Sequence, residues 1–209
     1  MEKIKIIDDF LNKEDFKKLC SLKLDDIPSN SIKVYHNEIG GENVINNNFV
    51  EKSFIEVLHK NYHKKAMKIL EELNYEKAKL YDYSDFTIIK TGKNYKFPIH
   101  DDTPNKLLSG VIYLFPTKNS GTIFYSDKKG NSKKTIEWKQ NRGVFFSRIE
   151  GESWHSYQGD GNSDRIALVY NLMTKKIKDV YKLENKNYFL GSLRWKINPY
   201  LLKYFKFTV

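Results

Sequence analysis

The stretch Phe97-Pro98-Ile99-His100-Asp101-Asp102-Thr103 places one of the chain's five histidines directly before two aspartates, with apolar segments on either side. Successive side chains of a β-strand point to opposite faces, so residues two apart share a face. If the stretch is extended, His100 and Asp102 point the same way and Asp101 points the other way. The pattern therefore predicts an imidazole and a carboxylate converging on one point, as two ligands of a metal site do.

The length and composition of the chain suit one domain with a sizeable core. It has 209 residues, of which 40% are hydrophobic and 14% aromatic. We expect a single domain over 1–209, with an N-terminal part of helices and strands (1–80), a core (81–175) and a C-terminal extension (176–209). Cys20 is the only cysteine, which excludes an internal disulfide and a thiolate metal cluster. No run of about 18 apolar residues occurs and residues 1–10 lack a signal-peptide core, so the sequence predicts no membrane span and a cytoplasmic protein.

The formal net charge of +10 raises the question of nucleic-acid binding. Only four of the 36 basic residues are arginine, namely Arg142, Arg148, Arg165 and Arg194. Lysine lacks the forked guanidinium that binds bases and phosphates through two hydrogen bonds. The composition therefore favours a soluble lysine-rich surface over one that binds nucleic acid, and it predicts no particular oligomeric state.

The first 80 residues mix strand and helix patterns. Alternation over 3–7 predicts a short strand, after which Asn12 is placed to cap a helix. Residues 25–48 have the composition of a loop, with one strand near 32–35. Apolar residues recur at helical spacing over 49–73, which predicts the longest helix of the protein.

Short β-rich runs replace the helical period after residue 80. Eight strands are predicted, at 86–90, 97–102, 109–115, 122–125, 135–138, 143–147, 154–157 and 165–172. Eight short strands separated by turns are typical of a sandwich or jelly roll rather than a parallel sheet. The segment 181–209 is aromatic and basic, and it is predicted to include a short helix after Pro199.

His155 and Arg165 flank a glycine-rich turn at 159–162. Residues equidistant from the centre of a hairpin face one another, so with Asp160 at the centre these two side chains are predicted to be cross-strand neighbours. Positions on the same face as Arg165 are mostly small: Ala167, Val169 and Asn171. Positions on the other face are large and apolar: Ile166, Leu168 and Tyr170. One face is therefore predicted to open onto a ligand cavity and the other to pack, for example on the long helix.

The remaining histidine pair is less informative. His59 and His63 are four apart on the long helix and share a face, a spacing that suits two metal ligands. No carboxylate signature accompanies them, and apolar residues surround them. We predict a solvated or core-edge pair.

His100, Asp102 and His155 together match a known metal chemistry. Two histidines and one carboxylate form the facial triad of non-haem iron(II) oxygenases, which leaves three coordination positions for a bidentate 2-oxo acid and dioxygen. The far carboxylate of such a cosubstrate needs a permanent forked cation, which Arg165 provides.

His100-Asp101-Asp102, then His155 53 positions after Asp102, then Arg165 ten positions later, resembles the iron(II)/2-oxoglutarate-dependent dioxygenase superfamily, and within it the prolyl-hydroxylase-like group. The similarity runs over 86–172. It implies an α+β fold with a double-stranded β-helix (jelly roll) core, N-terminal helices on one face, and iron at the open end. It also implies a hydroxylase that couples oxidative decarboxylation of 2-oxoglutarate to oxidation of a C–H bond.

The resemblance assigns residues and cofactors. His100, Asp102 and His155 would be the catalytic metal ligands, and Arg165 would bind 2-oxoglutarate. Tyr113 is a second candidate for contact with 2-oxoglutarate, with an ordinary buried aromatic as the alternative. The cofactors are Fe(II), the cosubstrates 2-oxoglutarate and O2, and ascorbate as a reductant.

Two positions indicate which reaction within this superfamily the chain resembles. Halogenating relatives lack the carboxylate, so Asp102 favours hydroxylation. Relatives that dealkylate nucleic acids usually carry a second arginine six residues after the first, where this chain has Asn171. The alternative from another class is a non-catalytic jelly-roll protein whose basic surface contacts nucleic acid or an acidic polymer.

The sequence does not identify the substrate. A peptide or protein side chain or a carrier-linked small molecule is favoured. The loop 28–48 and the C-terminal Tyr188, Phe189, Arg194 and Trp195 are candidates to cover the open end of the core. If they line a groove, the substrate is extended or acidic; the alternative is that they only dock the C-terminal segment.

Overall fold

The computed structural model describes residues 4–205, which form twelve strands and four helices. The strands are β1 (Ile4–Ile7), β2 (Ile32–Tyr35), β3 (Asn37–Gly40), β4 (Asn43–Asn47), β5 (Tyr83–Thr91), β6 (Lys96–His100), β7 (Lys106–Phe115), β8 (Ile123–Phe124), β9 (Lys134–Thr135), β10 (Gly143–Phe146), β11 (His155–Gln158) and β12 (Arg165–Met173). The helices are α1 (Lys13–Cys20), α2 (Lys52–Ala78), α3 (Ile177–Leu183) and α4 (Tyr188–Phe205).

The strands form two antiparallel sheets. The larger has the order β1-β10-β7-β12-β5-β3-β4, and β2 also pairs with β5. The smaller has the order β6-β11-β8-β9. The eight strands predicted after residue 80 correspond to β5 through β12, so the predicted α+β class with an antiparallel core is confirmed. Across residues 4–205 the sheets do not close into a barrel.

Strand β12 runs through the larger sheet, and its side chains alternate as predicted. Leu168 and Tyr170 are buried in the apolar core together with residues of α2. The other face lines a cavity with Arg165, Ala167, Val169 and Asn171. This alternation separates the packed side of the sheet from the side available to ligands.

Asparagines cap the start of α1 and interrupt α2. The Asn12 side chain accepts a hydrogen bond from the Asp15 N–H at 2.8 Å, which confirms the predicted cap of α1. In α2 the backbone leaves the helical conformation at Asn74, and its Oδ1 accepts a hydrogen bond from the Lys77 N–H. The helix therefore restarts on a new cap and extends to Ala78, beyond the predicted end at 73.

The predicted hairpin joining His155 to Arg165 is wrong. β11 pairs with β6 and β8, whereas β12 pairs with β5 and β7, so the turn between them carries the chain from one sheet to the other. Glycine and Asn/Asp supply the turn conformations needed in either case, so the composition could not separate a hairpin from a crossing. The two side chains line the same cavity from opposite sheets.

The predicted short helix after Pro199 is also wrong. Two helices form the C-terminal extension, and Pro199 lies inside α4. Proline lacks an N–H and disfavours the α conformation before it, which motivated the predicted boundary. In the structure α4 is held against α3 on one side, where a Cβ added to Gly191 would come within 2.1 Å of the Tyr181 ring. This packing offsets the lost hydrogen bond.

The segment 25–48 contains more structure than predicted. The strand at 32–35 is confirmed as β2, but β3 and β4 follow it and extend the sheet beyond β5. Their polar, asparagine-rich sequence resembles a loop because they lie at the sheet edge. No helix among residues 4–205 combines the length and apolar character needed to cross a bilayer.

Candidate metal and cosubstrate site

Three predicted ligands meet at the ends of two strands. His100 ends β6, His155 begins β11, and the register makes them cross-strand partners. Asp102 follows β6 by two residues. One ligand atom from each of the three lies within 4.8 Å of the other two. The structure therefore brings His100, Asp102 and His155 together at metal-binding range.

Backbone carbonyls orient both imidazoles. The Nδ1 of His100 lies 3.0 Å from the Pro98 carbonyl oxygen, and the Nδ1 of His155 lies 2.9 Å from that of Ser153. A carbonyl only accepts, so each Nδ1 carries the hydrogen and each Nε2 keeps a free lone pair. Burial and the neighbouring His155 lower the pKa of His100 to about 3, which keeps it in the neutral form that metals bind.

The Asp102 carboxylate is ionised and held at both oxygens. Lys106 Nζ donates to Oδ1 at 2.7 Å, and Ser109 Oγ donates to Oδ2 at 2.5 Å. The same Oδ2 lies 4.0 Å from His155 Nε2. Burial alone would raise the pKa of Asp102, but the neighbouring Lys106 outweighs burial and holds the pKa below its ordinary value. An oriented carboxylate beside two imidazoles is the donor set that iron(II) sites use.

Asp101 is directed away from this cluster, as its position one residue from Asp102 predicts. Its Oδ2 accepts from the Gly151 N–H at 2.8 Å, and its Oδ1 pairs with Arg194 of α4. Arg194 also pairs with Glu150. Asp101 therefore links the ligand-bearing segment to the C-terminal helix.

Arg148 also holds the segment that carries Asp101 and Asp102, through a hydrogen bond to its backbone. Its Nε donates to the Asp102 carbonyl oxygen at 3.0 Å, and its Nη1 donates to Glu184 at 2.9 Å. Glu184 also pairs with the buried Lys77 at 2.6 Å, and Glu150 pairs with Arg148. The guanidinium is therefore compensated by carboxylates on two sides.

Arg165 lies in the same cavity without such compensation. It is 7% exposed, and its Nε has no hydrogen-bond partner among residues 4–205. Its neighbours are aromatic, with the Tyr157 ring centroid 3.9 Å from the guanidinium carbon and Trp138 at 5.5 Å. Burial lowers the pKa of Arg165 from its ordinary value, yet arginine stays charged in proteins. A buried guanidinium without a carboxylate partner is suited to bind an anion.

Tyr113, the second predicted contact of 2-oxoglutarate, packs beside Arg165, with its ring centroid 5.6 Å from the guanidinium carbon. It is fully buried, stacks on Trp138, donates to Thr122 Oγ1 at 2.9 Å and accepts from the Thr122 N–H. It lies outside the cavity lining, a position that favours the buried-aromatic alternative.

Two residues that sequence reasoning missed border Arg165. Tyr157 packs its ring on the guanidinium, and Thr91 is the cross-strand partner of Arg165 on β5. Both line the cavity. The alternation of β11 from His155 could have indicated Tyr157, because residues two apart share a face. Thr91 depends on the pairing of β12 with β5, which no local signal reveals.

The metal cluster and Arg165 share one cavity of about 390 Å³. Five residues of α4 form part of its wall: Gly191, Arg194, Trp195, Asn198 and Pro199. Of the C-terminal candidates, Arg194 and Trp195 therefore face the cavity, whereas Phe189 is 73% exposed. From residues 28–48, only Ile32 reaches the lining.

His59 and His63 form the core-edge pair predicted for them. Their rings stack at 4.5 Å, and His63 contacts the Tyr81 ring at 4.8 Å. Burial and the neighbouring His63 lower the pKa of His59 to about 4. Within the described residues they do not join a group of three metal-ligating side chains.

Comparison with known proteins relies on structure alone. No protein-family model and no curated protein matches the sequence. A prolyl-4-hydroxylase from Pseudomonas putida superposes with a TM-score of 0.55 at 13% identity, over 84% of this chain and 94% of that one. An oxidoreductase of the 2OG-Fe(II) oxygenase family from Burkholderia pseudomallei gives 0.57 at 14% identity, over 81% and 84%.

A third similar structure contains a bound peptide. A prolyl hydroxylase from Trichoplax adhaerens, in complex with a peptide fragment of a hypoxia-inducible-factor oxygen degradation domain, gives a TM-score of 0.58 at 14% identity, over 86% of this chain and 87% of that one. The fold is that of the iron(II)/2-oxoglutarate oxygenases. The predicted resemblance to prolyl-hydroxylase-like proteins is thus confirmed for the jelly-roll fold, with helices α1 and α2 against the larger sheet.

Proposed function

We propose that the protein is an iron(II)- and 2-oxoglutarate-dependent dioxygenase that hydroxylates a C–H bond. One observation carries the proposal: a two-histidine, one-carboxylate cluster shares a cavity with a buried arginine that has no carboxylate partner among residues 4–205. Neither feature serves the stability of the fold by itself, since each concentrates desolvated polar groups. Together they match the two ends of a metal-chelating dicarboxylate.

His100, Asp102 and His155 would hold Fe(II) through the two Nε2 atoms and one carboxylate oxygen. Lys106 and Ser109 orient the carboxylate, and the Pro98 and Ser153 carbonyls orient the rings. When bound, iron would supply the oxidative chemistry by which decarboxylation of 2-oxoglutarate is coupled to hydroxylation. O2 would be the second cosubstrate, and ascorbate would act as an external reductant.

Arg165 would bind the far carboxylate of 2-oxoglutarate. Its rigid fork suits two parallel hydrogen bonds, and burial strengthens them because little water competes. The Tyr157 ring covers one side of the guanidinium and limits its rotation. Thr91 lies beside it and offers a hydroxyl to the same anion.

A peptide or carrier-linked substrate is supported by the wall that α4 forms and by the peptide bound to the Trichoplax adhaerens structure. The cavity of about 390 Å³ admits a side chain beside 2-oxoglutarate rather than a whole peptide. The remainder of such a substrate would lie outside, near α4. We further propose that the chain acts as one domain in the cytoplasm.

The test is succinate release from 2-oxoglutarate with added Fe(II) and O2, combined with metal titration of two matched variants. Asp102→Ala should abolish turnover and weaken metal binding, because it removes a ligand. Asp101→Ala removes the same charge one residue away and should leave the metal affinity close to that of the wild type. Equal losses in both variants, or a loss only in Asp101→Ala, would contradict the ligand assignment. A wild-type protein that binds neither iron nor 2-oxoglutarate would favour the non-catalytic alternative.

A further inference from the structure

Three side chains form a row across the sheet on the cavity side. Asn171 of β12 is paired with Asp85 of β5, and Asp85 is paired with Glu38 of β3. Direct cross-strand partners share a face of the sheet. Arg165 and Thr91 form the equivalent pair six residues further along the same two strands. The row therefore lies on the face that carries Arg165, at the other end of β12.

Asp85 and Glu38 are two adjacent carboxylates with no direct ion pair among the described residues. Lys106 and His36 lie near enough to oppose the rise that burial causes in the pKa of Asp85, and His36 and Lys175 do the same for Glu38. Asp85 is 8% exposed and accepts hydrogen bonds from Thr87 Oγ1 and from Asn171 Nδ2, the latter at 3.0 Å. Burial raises its pKa, and burial together with repulsion from Asp85 raises the pKa of Glu38. Neither forms an ion pair within residues 4–205, although the chain has 36 lysines and arginines. The nearby Lys106 is engaged by Asp102.

Asn171 connects this row to the cavity. It lines the cavity wall and is 1% exposed, yet its Oδ1 has no hydrogen-bond donor among the residues described. Its Nδ2 is committed to Asp85, which fixes the orientation of the amide. The pairs Val169–Val111 and Leu172–Leu108 place it beside Ser109, the residue that holds Asp102. A buried acceptor without a donor costs free energy unless a ligand satisfies it.

We propose that Asn171, Asp85 and Glu38 form a subsite for a cationic nitrogen of the substrate, an ammonium or guanidinium group that donates to Asn171 Oδ1 and is neutralised by the two carboxylates. The inference rests on the proposed function and specifies its substrate as a basic side chain or amine. Arg165 would hold the anionic cosubstrate at one end of β12, and this row would hold the cation at the other end, where Asn171 lines the same cavity as the metal ligands.

The basic groups near the row act on it without direct ion pairs among the described residues: Lys106 is held by Asp102, and His36 and Lys175 only oppose the rise in the pKa of Glu38 from a distance. The net charge of +10 is spread over the surface, where salt screens it beyond about 8 Å. Arg194, the basic residue of α4 in the cavity wall, is already paired with Asp101 and Glu150. The electrostatic reason to expect an acidic substrate at this wall is thereby removed. A bound cation would also relieve the repulsion between Asp85 and Glu38.

The experiment uses the full chain loaded with Mn(II) and 2-oxoglutarate. Mn(II) broadens the proton NMR signals of any small molecule bound near it, so binding in the millimolar range is detected without turnover. The probes are the N-acetyl methylamides of lysine, arginine, norleucine and glutamate. Norleucine has the lysine chain length without the ammonium group, so it isolates the effect of the charge.

We expect the lysine or the arginine probe to bind about tenfold or more tightly than the norleucine probe. Glu38→Gln, Asp85→Asn and Asn171→Leu should each reduce this preference. Glu42→Gln removes the same charge from the exposed turn between β3 and β4 and should keep the wild-type preference. If the buried Asp85→Asn variant does not fold, Glu38→Gln is compared with Glu42→Gln instead, because it alters only a half-buried side chain.

Equal or tighter binding of the norleucine or glutamate probe would overturn the inference, and so would the absence of broadening with both basic probes. Binding of 2-oxoglutarate to the Mn(II)-loaded wild type is measured first, by calorimetry. If 2-oxoglutarate does not bind, the proposed function fails; if it binds and no basic probe is preferred, only the cationic subsite fails.

Discussion

Two buried arginines of this protein have opposite surroundings. Arg148 is 1% exposed and contacts Glu184, Glu150 and the Asp102 carbonyl oxygen. Arg165 is 7% exposed and contacts aromatic rings, with no carboxylate partner among residues 4–205. Both must lose their hydration when the chain folds, at a cost of several kcal/mol each. Within the described chain, only the ion pairs and hydrogen bonds of Arg148 offset this loss of hydration.

Arg148 belongs to a structural ion-pair cluster, whereas the surroundings of Arg165 are the basis of its proposed role in binding an anion. The cluster around Arg148 connects α2, α3 and the segment that carries Asp102, so its charges act on stability. Both arginines line the cavity, but Arg165 meets aromatic rings there and forms no ion pair among the described residues. A buried charge without compensation marks a candidate binding site, and this supports the role proposed for Arg165.

The largest expected effect is on stability, and it should be confined to Arg148. Arg148→Met leaves Glu184 and Glu150 buried with less compensation, so we expect the free energy of unfolding to fall by about 3–5 kcal/mol. Arg165→Met removes a charge that has no partner and should leave stability unchanged or slightly raised. Urea denaturation of both variants without ligand measures the contrast, and a comparable loss in both would show that Arg165 has a structural role as well.

The second effect is on 2-oxoglutarate binding, and here the Arg165 variants should show the larger change. Arg165→Ala should weaken 2-oxoglutarate binding by about 2–5 kcal/mol, which is 30-fold to several-thousand-fold in dissociation constant. Arg165→Lys should restore only part of the affinity, because an ammonium cannot form the two parallel hydrogen bonds. Calorimetry on Mn(II)-loaded protein measures both, and Mn(II) affinity itself should change little. Unchanged 2-oxoglutarate affinity in Arg165→Ala would refute the role of Arg165.

The smallest effect concerns a third uncompensated group, His59, which differs from arginine because it can release its proton. Burial holds the pKa of His59 at about 4, below the ordinary value of 6.5, so the unfolded chain binds more protons between these values. Stability should therefore be complete above pH 6.5 and decline as the pH falls toward 4, by on the order of 1 kcal/mol after allowance for partial exposure. Thermal denaturation of the wild type and His59→Phe over this range tests it. An identical pH slope in both proteins would exclude His59 as its source.

Much of the local structure was predictable. The alternation after residue 80 indicated all eight strands of the core, and Asn12 indicated the start of α1. The spacing of His100 and Asp102 also predicted their convergence, since the alternation of side chains along an extended segment is a local property. The end of α2 was missed because Asn74, which usually terminates helical periodicity, caps a further turn.

Strand pairing was not predictable by the same means. The turn after His155 looked like a hairpin, yet β11 and β12 belong to different sheets, because pairing depends on contacts far apart in sequence. Helix α4 passes through Pro199 because it packs on α3 and the cavity wall, neither of which a local signal shows.

The sequence by itself determined the residue types of the candidate site, since His100, Asp102, His155 and Arg165 could be selected by spacing and rarity. The tertiary structure decided how each charge is compensated. It placed carboxylates around Arg148 and rings around Arg165, and it aligned Asn171, Asp85 and Glu38 across three strands. Compensation depends on distance and burial, and both arise only when segments separated by tens of residues are packed together.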